Sequence, residues 1–132
     1  MTKDILKILQ SDNVDPTPEC LNAFNEKFSG SVGLEWHANK SNFEAIFYKD
    51  NLEHIALFSP DGQLIEYRRF VPEGNLPLGI RQQVLEKGEI MNRVLLNRGN
   101  EIFYEVIYRD QQKQRYMLLL TDLGNIIEHK KL

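Results

Sequence analysis

The sequence has few of the residues that form disulfide bonds or cysteine metal sites, and it has no long apolar run. Cys20 is its single cysteine, so neither an intrachain disulfide nor a cysteine cluster for a metal ion can form. Its apolar runs are far shorter than the roughly 20 residues of a membrane-spanning helix. It also lacks an excess of positive charge, because the formal net charge is −3 at pH 7. Nucleic-acid binders are usually basic, so we expect neither nucleic acid nor membrane insertion.

Residues 1–10 lack the apolar core and the small-residue cleavage site of a signal peptide. The sequence as written therefore predicts a cytoplasmic protein, and a periplasmic or secreted one if a leader has been removed. The 132 residues are 42% hydrophobic and 27% charged. This composition is typical of one globular body with a real core.

Two segments of the sequence occur twice in related form. Phe43–Tyr48 reads Phe-Glu-Ala-Ile-Phe-Tyr, and Tyr104–Arg109 reads Tyr-Glu-Val-Ile-Tyr-Arg. Gly62–Phe70 and Gly124–Leu132 both run from glycine through an aliphatic pair, a glutamate, a ring and two cations to an apolar end. A repeat of about 60 residues predicts two copies of one supersecondary unit.

Helix and strand signals occur in the same order in both copies. In the first, Thr17-Pro18-Glu19 predicts a helix start and Ser29-Gly30 its end. Apolar alternation then predicts four strands from Leu34 to Phe70, and Pro60-Asp61-Gly62 predicts a hairpin between the last two. In the second copy, Leu76-Pro77 opens a shorter helix that ends at Gly88. Its strands are predicted at Met91–Asn97, Glu101–Arg109, Arg115–Thr121 and Asn125–Lys131.

These signals predict an α+β fold of two tandem repeats, each a helix packed on a four-stranded antiparallel sheet. An extra N-terminal helix and linker are expected over residues 1–15, because Thr2 can cap an apolar stripe that runs to Leu9. The first α-β-β-β-β repeat is expected over residues 16–71 and the second over 72–132, in one globular body.

The first copy resembles the PepSY-like repeat of the bacterial β-lactamase-inhibitor-protein-like (BLIP-like) families. The residues that carry the resemblance are the helix from Pro18 to Phe28, Leu34-Glu35-Trp36, Phe43–Phe47, and Asp61-Gly62-Gln63-Leu64. The second copy matches less well, since it has no tryptophan. The resemblance implies a tandem-repeat binding module, in some members an enzyme inhibitor, and it carries over no catalytic residue.

No set of polar residues has the spacing of a catalytic or metal site. The histidines, His37, His54 and His129, have no ligand spacing and are expected on strand surfaces. Cys20 lies on the apolar stripe of its helix and is expected to act as a small buried hydrophobe. Glu44 and Glu105 recur at matching positions of the repeat, which favours a structural role. We therefore expect no enzyme activity, no cofactor and no metal.

The strand parity divides the side chains between two faces of each sheet. Leu34 and Trp36 are predicted to face the first helix. Phe43, Ala45 and Phe47 are predicted on the same side, which leaves Ile46 and its repeat partner Ile107 on the face away from the helices. Either the backs of the two sheets cover each other, or the outward face is a binding surface.

The sequence thus favours a non-enzymatic protein- or peptide-binding module, inhibitor-like or accessory. Large aromatics and arginine most often anchor interfaces, and the candidates expected on the outward face are Tyr48, Tyr67, Arg69, Arg109 and His129. One alternative is a small-ligand-binding protein or enzyme with its site in a cleft between the repeats. Another is a structural module that forms a homodimer through its sheet edges.

Overall fold

The computed structural model describes residues 14–132. The N-terminal helix predicted within residues 1–15 falls almost entirely outside the described residues. Over residues 14–132 the chain forms two helices and eight strands, and the paired strands are antiparallel, so the predicted α+β class is confirmed. The elements are α1 (Pro18–Lys27), β1 (Val32–Asn39), β2 (Asn42–Lys49), β3 (Leu52–Phe58), β4 (Leu64–Phe70), α2 (Leu78–Leu85), β5 (Glu89–Arg98), β6 (Glu101–Arg109), β7 (Arg115–Thr121) and β8 (Ile126–Lys131).

The chain divides into two compact units, of which the first ends at Tyr67 and the second begins at Arg68. In the first unit β1, β2 and β3 pair in that order. In the second unit β5, β6, β7 and β8 pair in that order. The boundary between the units falls within β4.

Helix α1 begins where the sequence predicts it. The Thr17 hydroxyl accepts a hydrogen bond from the backbone amide of Cys20 at 3.2 Å, and Pro18 occupies the first turn. The same hydroxyl donates to the carbonyl of Pro60 at 2.6 Å, and the Cys20 thiol donates to the carbonyl of Ser59 at 3.1 Å. The start of α1 is therefore bonded to the turn between β3 and β4.

The core of the first unit is built mainly from aromatic rings. Phe24 of α1 packs edge-on against Trp36 and Phe47, with ring centroids 5.7 and 5.0 Å apart. Trp36 is buried, as its strand parity predicts. The buried members of this cluster are Cys20, Phe24, Trp36, Ala45, Phe47, Ala56 and Phe58.

The prediction that Leu34 shares the helix-facing side with Trp36 is wrong. Leu34 is exposed, and the pairing of β1 with β2 shifts register between Val32 and Glu35. Gly33 has a φ of +66°, which breaks the extended geometry there. Because the alternation of a strand holds only along an uninterrupted ladder, parity counted back from Trp36 fails across this irregularity.

Helix α2 has 8 residues and no side-chain cap at its start, against 10 residues and the Thr17 cap in α1. Ile80 and Val84 are buried, whereas Leu85 is exposed. The second core is aliphatic rather than aromatic. Its buried residues are Val71, Leu76, Ile80, Val84, Val106, Tyr108, Leu118 and Leu120.

Candidate functional site: the sheet faces opposite the helices

In each unit, one sheet face packs on the helix and the other faces away. In β2, Ala45 and Phe47 belong to the core, so the alternating Glu44, Ile46 and Tyr48 lie on the opposite face. We call this surface the first face. The cross-strand pairs that form it are Glu35–Ile46–Ile55, His37–Glu44–Leu57 and Val32–Tyr48–Glu53.

The first face is apolar at its centre and acidic around it. Ile46, Ile55 and Leu57 lie side by side on β2 and β3 and are half-buried. The charged side chains that pair across the strands with this face are all carboxylates, namely Glu35, Glu44 and Glu53. The face therefore combines an aliphatic stripe with negative charge.

Hydrogen bonds orient the polar side chains of the first face. The Tyr48 hydroxyl donates to Oε2 of Glu53 at 3.3 Å, and Nδ2 of Asn39 donates to Oε2 of Glu44 at 3.1 Å. Tyr48 remains 45% exposed, so its ring is accessible to a partner. Such a ring combines large contact area with a polar end that is already positioned.

The outward surface of the second unit, which we call the second face, carries both signs of charge. Nη2 of Arg109 lies 2.8 Å from Oε2 of Glu89, and Nη1 of Arg68 lies 3.6 Å from Oε2 of Glu105. The cross-strand pairs that form the face are Glu89–Arg109–Arg115, Asn92–Ile107–Met117–Lys130 and Val94–Glu105–Leu119–Glu128. Its apolar centre at Ile107 corresponds to Ile46 in the repeat.

The five residues proposed from the sequence do not share one environment. Tyr48 lies on the first face and Arg109 on the second, as predicted. Arg69 lies half-exposed on β4. Tyr67 packs against the first core, stacked on Phe28 with ring centroids 5.3 Å apart. The expectation that Tyr67 faces away from the helix is therefore wrong.

His129 was also expected on the outward face and does not lie there. It pairs across β7 and β8 with Leu118, which is fully buried in the second core, so both side chains point toward the helix side. His129 is nevertheless exposed, because β8 is exposed along its whole length. The register shift between Leu119 and Leu120 in the β7–β8 pairing makes parity in this hairpin unreliable from sequence.

Two of the three histidines are buried, which contradicts the expectation of surface positions. His37 lies on the first face yet is only 1% exposed, with its Nε2 3.5 Å from Oε2 of Glu35. His54 is buried on the helix side, where its ring stacks on Phe47 at 5.1 Å. The spacing of the histidines in the sequence gives no signal of this burial, which depends on how the strands pack.

Each unit contains a layer of three neighbouring rings at matching positions of the repeat. The layers consist of Phe47, His54 and Tyr67 in the first unit and of Tyr108, Tyr116 and His129 in the second. Each layer holds one histidine–tyrosine hydrogen bond, between His54 Nδ1 and the Tyr67 hydroxyl at 2.6 Å and between His129 Nε2 and the Tyr108 hydroxyl at 2.7 Å. Tyr67 and His129 occupy matching positions of the sequence repeat, and this match is the signal from which the two ring layers could have been predicted.

The described residues supply little that could do chemistry. Among residues 14–132 no group of three or more histidine, cysteine or acidic side chains could hold a metal ion. Cys20 is completely buried with its thiol bonded to a carbonyl. Burial raises the pKa of Tyr108 above the ordinary 10.0, with smaller contributions from Tyr116 and Asp110. A tyrosine that holds its proton more tightly is a poorer general base at neutral pH.

The second unit also has a cavity of about 200 Å³ beside α2. Arg81 and Arg93 line it together with aliphatic and acidic side chains, and Nε of Arg93 donates to the carbonyl of Val71 at 3.0 Å.

Neither helix within the described part of the chain is long and apolar enough to cross a membrane.

No protein-family model matches the sequence, and no curated protein is similar to it. Solved structures, however, show its fold. A BLIP-like protein from Bacteroides fragilis NCTC 9343 superposes with a TM-score of 0.78 at 15% identity, over 92% of this chain and 89% of that one. A DUF2874 family protein from Bacteroides uniformis ATCC 8492 gives 0.78 at 14% identity, over 89% and 90%.

A third solved structure, from Bacteroides eggerthii DSM 20697, is of a protein provisionally assigned to the periplasm. It superposes with a TM-score of 0.80 at 13% identity, over 89% of this chain and 90% of that one. At these identities the comparison defines the fold alone. The chain has a BLIP-like α+β fold, which agrees with the BLIP-like part of the resemblance in the sequence.

Proposed function

We propose that the chain is a non-enzymatic protein- or peptide-binding module that binds its partner on the first face. The observation that carries this proposal is the half-buried stripe of Ile46, Ile55 and Leu57 on a surface that faces away from the helix. An aliphatic stripe bordered by polar side chains is typical of interaction surfaces. The BLIP-like fold of the structural relatives supports the same function.

The charges of the first face define the chemistry of the partner. Glu35, Glu44 and Glu53 border the stripe, and the cross-strand pairs that β1, β2 and β3 contribute to this face contain no lysine or arginine. A segment with apolar side chains flanked by lysine or arginine would meet complementary charge there. On the second face, half-buried Arg109 lies beside exposed Glu89, so that face carries charges of both signs and has no such preference.

We propose further that the two units are tandem copies of a PepSY-like module. The matching segments of sequence and the matching ring layers support this origin. The similarity in fold to a protein provisionally assigned to the periplasm favours a periplasmic location for this chain over the cytoplasmic one expected from the sequence. Fractionation of the native cell, followed by detection with an antibody, would decide between the two compartments.

The binding proposal is tested with the immobilised full chain, which should capture a proteinaceous partner from lysate or envelope fractions of the native cell. Once a partner is isolated, Tyr48→Ala should weaken its binding by more than about 1 kcal/mol, the range of interface anchors, and Arg109→Ala tests the second face in the same way. The melting temperature should stay nearly unchanged, because both residues lie on outward faces. High salt should weaken binding as well, since it screens exposed charge pairs.

Tyr67→Ala is the matched control, because it removes the same side chain from a position packed against the first core. It should lower the melting temperature clearly, whereas Tyr48→Ala should not. A clear loss of stability in Tyr48→Ala would mean that the first face is covered within the folded chain. Unchanged partner binding in Tyr48→Ala and Arg109→Ala would remove both faces as the binding surface.

A further inference from the structure

The last strand of the second unit is exposed along its whole length. Every residue of β8 is exposed, including Ile126 and Ile127, and Leu132 just beyond it is 59% exposed. Aliphatic side chains on an exposed edge strand favour pairing with another strand. The edge therefore has both the backbone groups and the apolar side chains for strand addition.

The outer edge of β8 has no neighbouring strand within residues 14–132, because β8 is the last strand in the sheet order. The backbone amide of Leu132 donates to the carbonyl of Arg115 at 2.9 Å, so the backbone groups of Leu132 point toward β7. Because these directions alternate along a strand, the backbone groups of His129 and Lys131 point away from β7. The outer edge of β1 differs, since the amide of Val14 already donates to the carbonyl of Trp36 at 3.2 Å.

A second copy of the same strand fits this edge in the register centred on His129. When two β8 strands pair antiparallel and continue the sheet, side chains that lie opposite each other must be on the same face of the sheet. The pairing therefore has a central residue that lies opposite its own copy in the other strand. Centring on Glu128 would oppose two carboxylates, and centring on Lys130 would oppose two ammonium groups, both of which are unfavourable. Centring on His129 places Glu128 of each strand opposite Lys130 of the other, so two oppositely charged pairs form.

This register is also consistent with the remaining features of β8. Glu128 and Lys130 pair with Leu119 and Met117 in β7, so both lie on the outward side and can meet each other across the new edge. His129 would form the central hydrogen-bonded pair with its own copy, because its backbone groups point outward. Ile127 of one strand would lie opposite Lys131 of the other, where it can contact the aliphatic part of the lysine side chain.

We propose that β8 is a homodimerisation edge at which two copies of the chain pair antiparallel about His129, with reciprocal Glu128–Lys130 ion pairs. The occupant is a second copy because the charges of this strand complement the same strand in reversed direction. The inference is independent of the proposed function, which uses the faces of the sheets and not this edge. An interface of two short strands is small, so the dimer should form reversibly with concentration.

Sedimentation equilibrium of the full chain over a wide concentration range tests the pairing. The wild-type chain should show a monomer–dimer equilibrium. Glu128→Lys and Lys130→Glu should each raise the dissociation constant at least about tenfold, because each variant opposes like charges twice. The double variant Glu128→Lys/Lys130→Glu should restore dimerisation, since it reverses both members of each pair. Glu101→Lys, which makes the same charge change as Glu128→Lys away from β8, should leave the equilibrium unchanged.

Far-ultraviolet circular dichroism should be the same for all variants, because Glu101, Glu128 and Lys130 are exposed. A wild-type chain that stays monomeric at the highest concentration would overturn the proposal. So would a dimer that both single variants leave intact, or a double variant that fails to regain it, because either result would exclude the register about His129.

Discussion

The hydroxyl of Tyr108 lies 2.7 Å from Nε2 of His129, and this hydrogen bond joins a buried ring to the fully exposed last strand. It connects β8, which has no buried side chain, to the core of the second unit. Tyr108→Phe should therefore destabilise the protein by about 1 kcal/mol, the ordinary net value of one hydrogen bond. Urea unfolding of the two proteins at neutral pH would measure the difference.

The same tyrosine should make stability sensitive to alkaline pH. Burial raises the pKa of Tyr108 above 10.0, so the folded state holds the phenol proton more tightly than the unfolded state does. This contribution is fully present below pH 10 and is lost as the pH rises through the folded pKa. The stability of the wild-type chain should fall more steeply above pH 10 than that of Tyr108→Phe. Equal slopes would show that Tyr108 titrates normally.

Trp36→Ala should destabilise the chain by about 3–5 kcal/mol, as removal of a large buried ring does. Trp36 contacts Phe24 and Phe58 in the first core and is 7% exposed. Its fluorescence should be blue-shifted and poorly quenched by iodide in the native protein. Leu34→Ala, two positions earlier on the same strand, should cost much less because Leu34 is exposed. Ready quenching of Trp36 would contradict its place in the core.

Two glycines near α2 should respond to alanine in opposite directions. A Cβ at Gly88 would collide with the backbone carbonyl of Arg109, which cannot move without disturbing the pairing of β5 with β6. Gly88→Ala should therefore lower the melting temperature clearly. A Cβ at Gly79 would meet nothing within 4 Å, and the residue lies in the helix. Gly79→Ala should stabilise by about 0.5–1 kcal/mol, because alanine restricts the unfolded chain. A destabilised Gly79→Ala would contradict this assignment.

The fold could be predicted from the sequence wherever a strong local signal coincides with a regular ladder. The observed strands β6 and β7 have the predicted bounds, and β8 differs by one residue at its start. The pairing of β6 with β7 has no register shift, and the turns that bound these strands carry glycine, or a residue such as Lys113 at positive φ. The start of α1 could be predicted from Thr17 and Pro18, because a helix cap is formed by residues that are close together in the sequence.

The candidate surface could be predicted only in part, because faces depend on register over long distances. Tyr48 and Arg109 were assigned correctly, since both follow a core residue on a regular strand. Leu34 and His129 were not, because a register shift lies close to each of them. Tyr67 packs on the same core as Leu64, three residues earlier, which simple alternation does not allow. The burial of His37 and His54 reflects tertiary packing that no local pattern encodes.

The turns on either side of β3 differ in what they can accommodate. The turn between β3 and β4 is bonded to the start of α1 through Thr17 and Cys20, and a Cβ at Gly62 would come 2.7 Å from the carbonyl oxygen of Glu19. The turn between β2 and β3, at Asp50 and Asn51, is exposed. A peptide tag or a fused domain therefore belongs at Asp50–Asn51, because exposed turns tolerate insertions. The same insertion beside Gly62 would displace the start of α1 from the turn between β3 and β4 to which it is hydrogen-bonded.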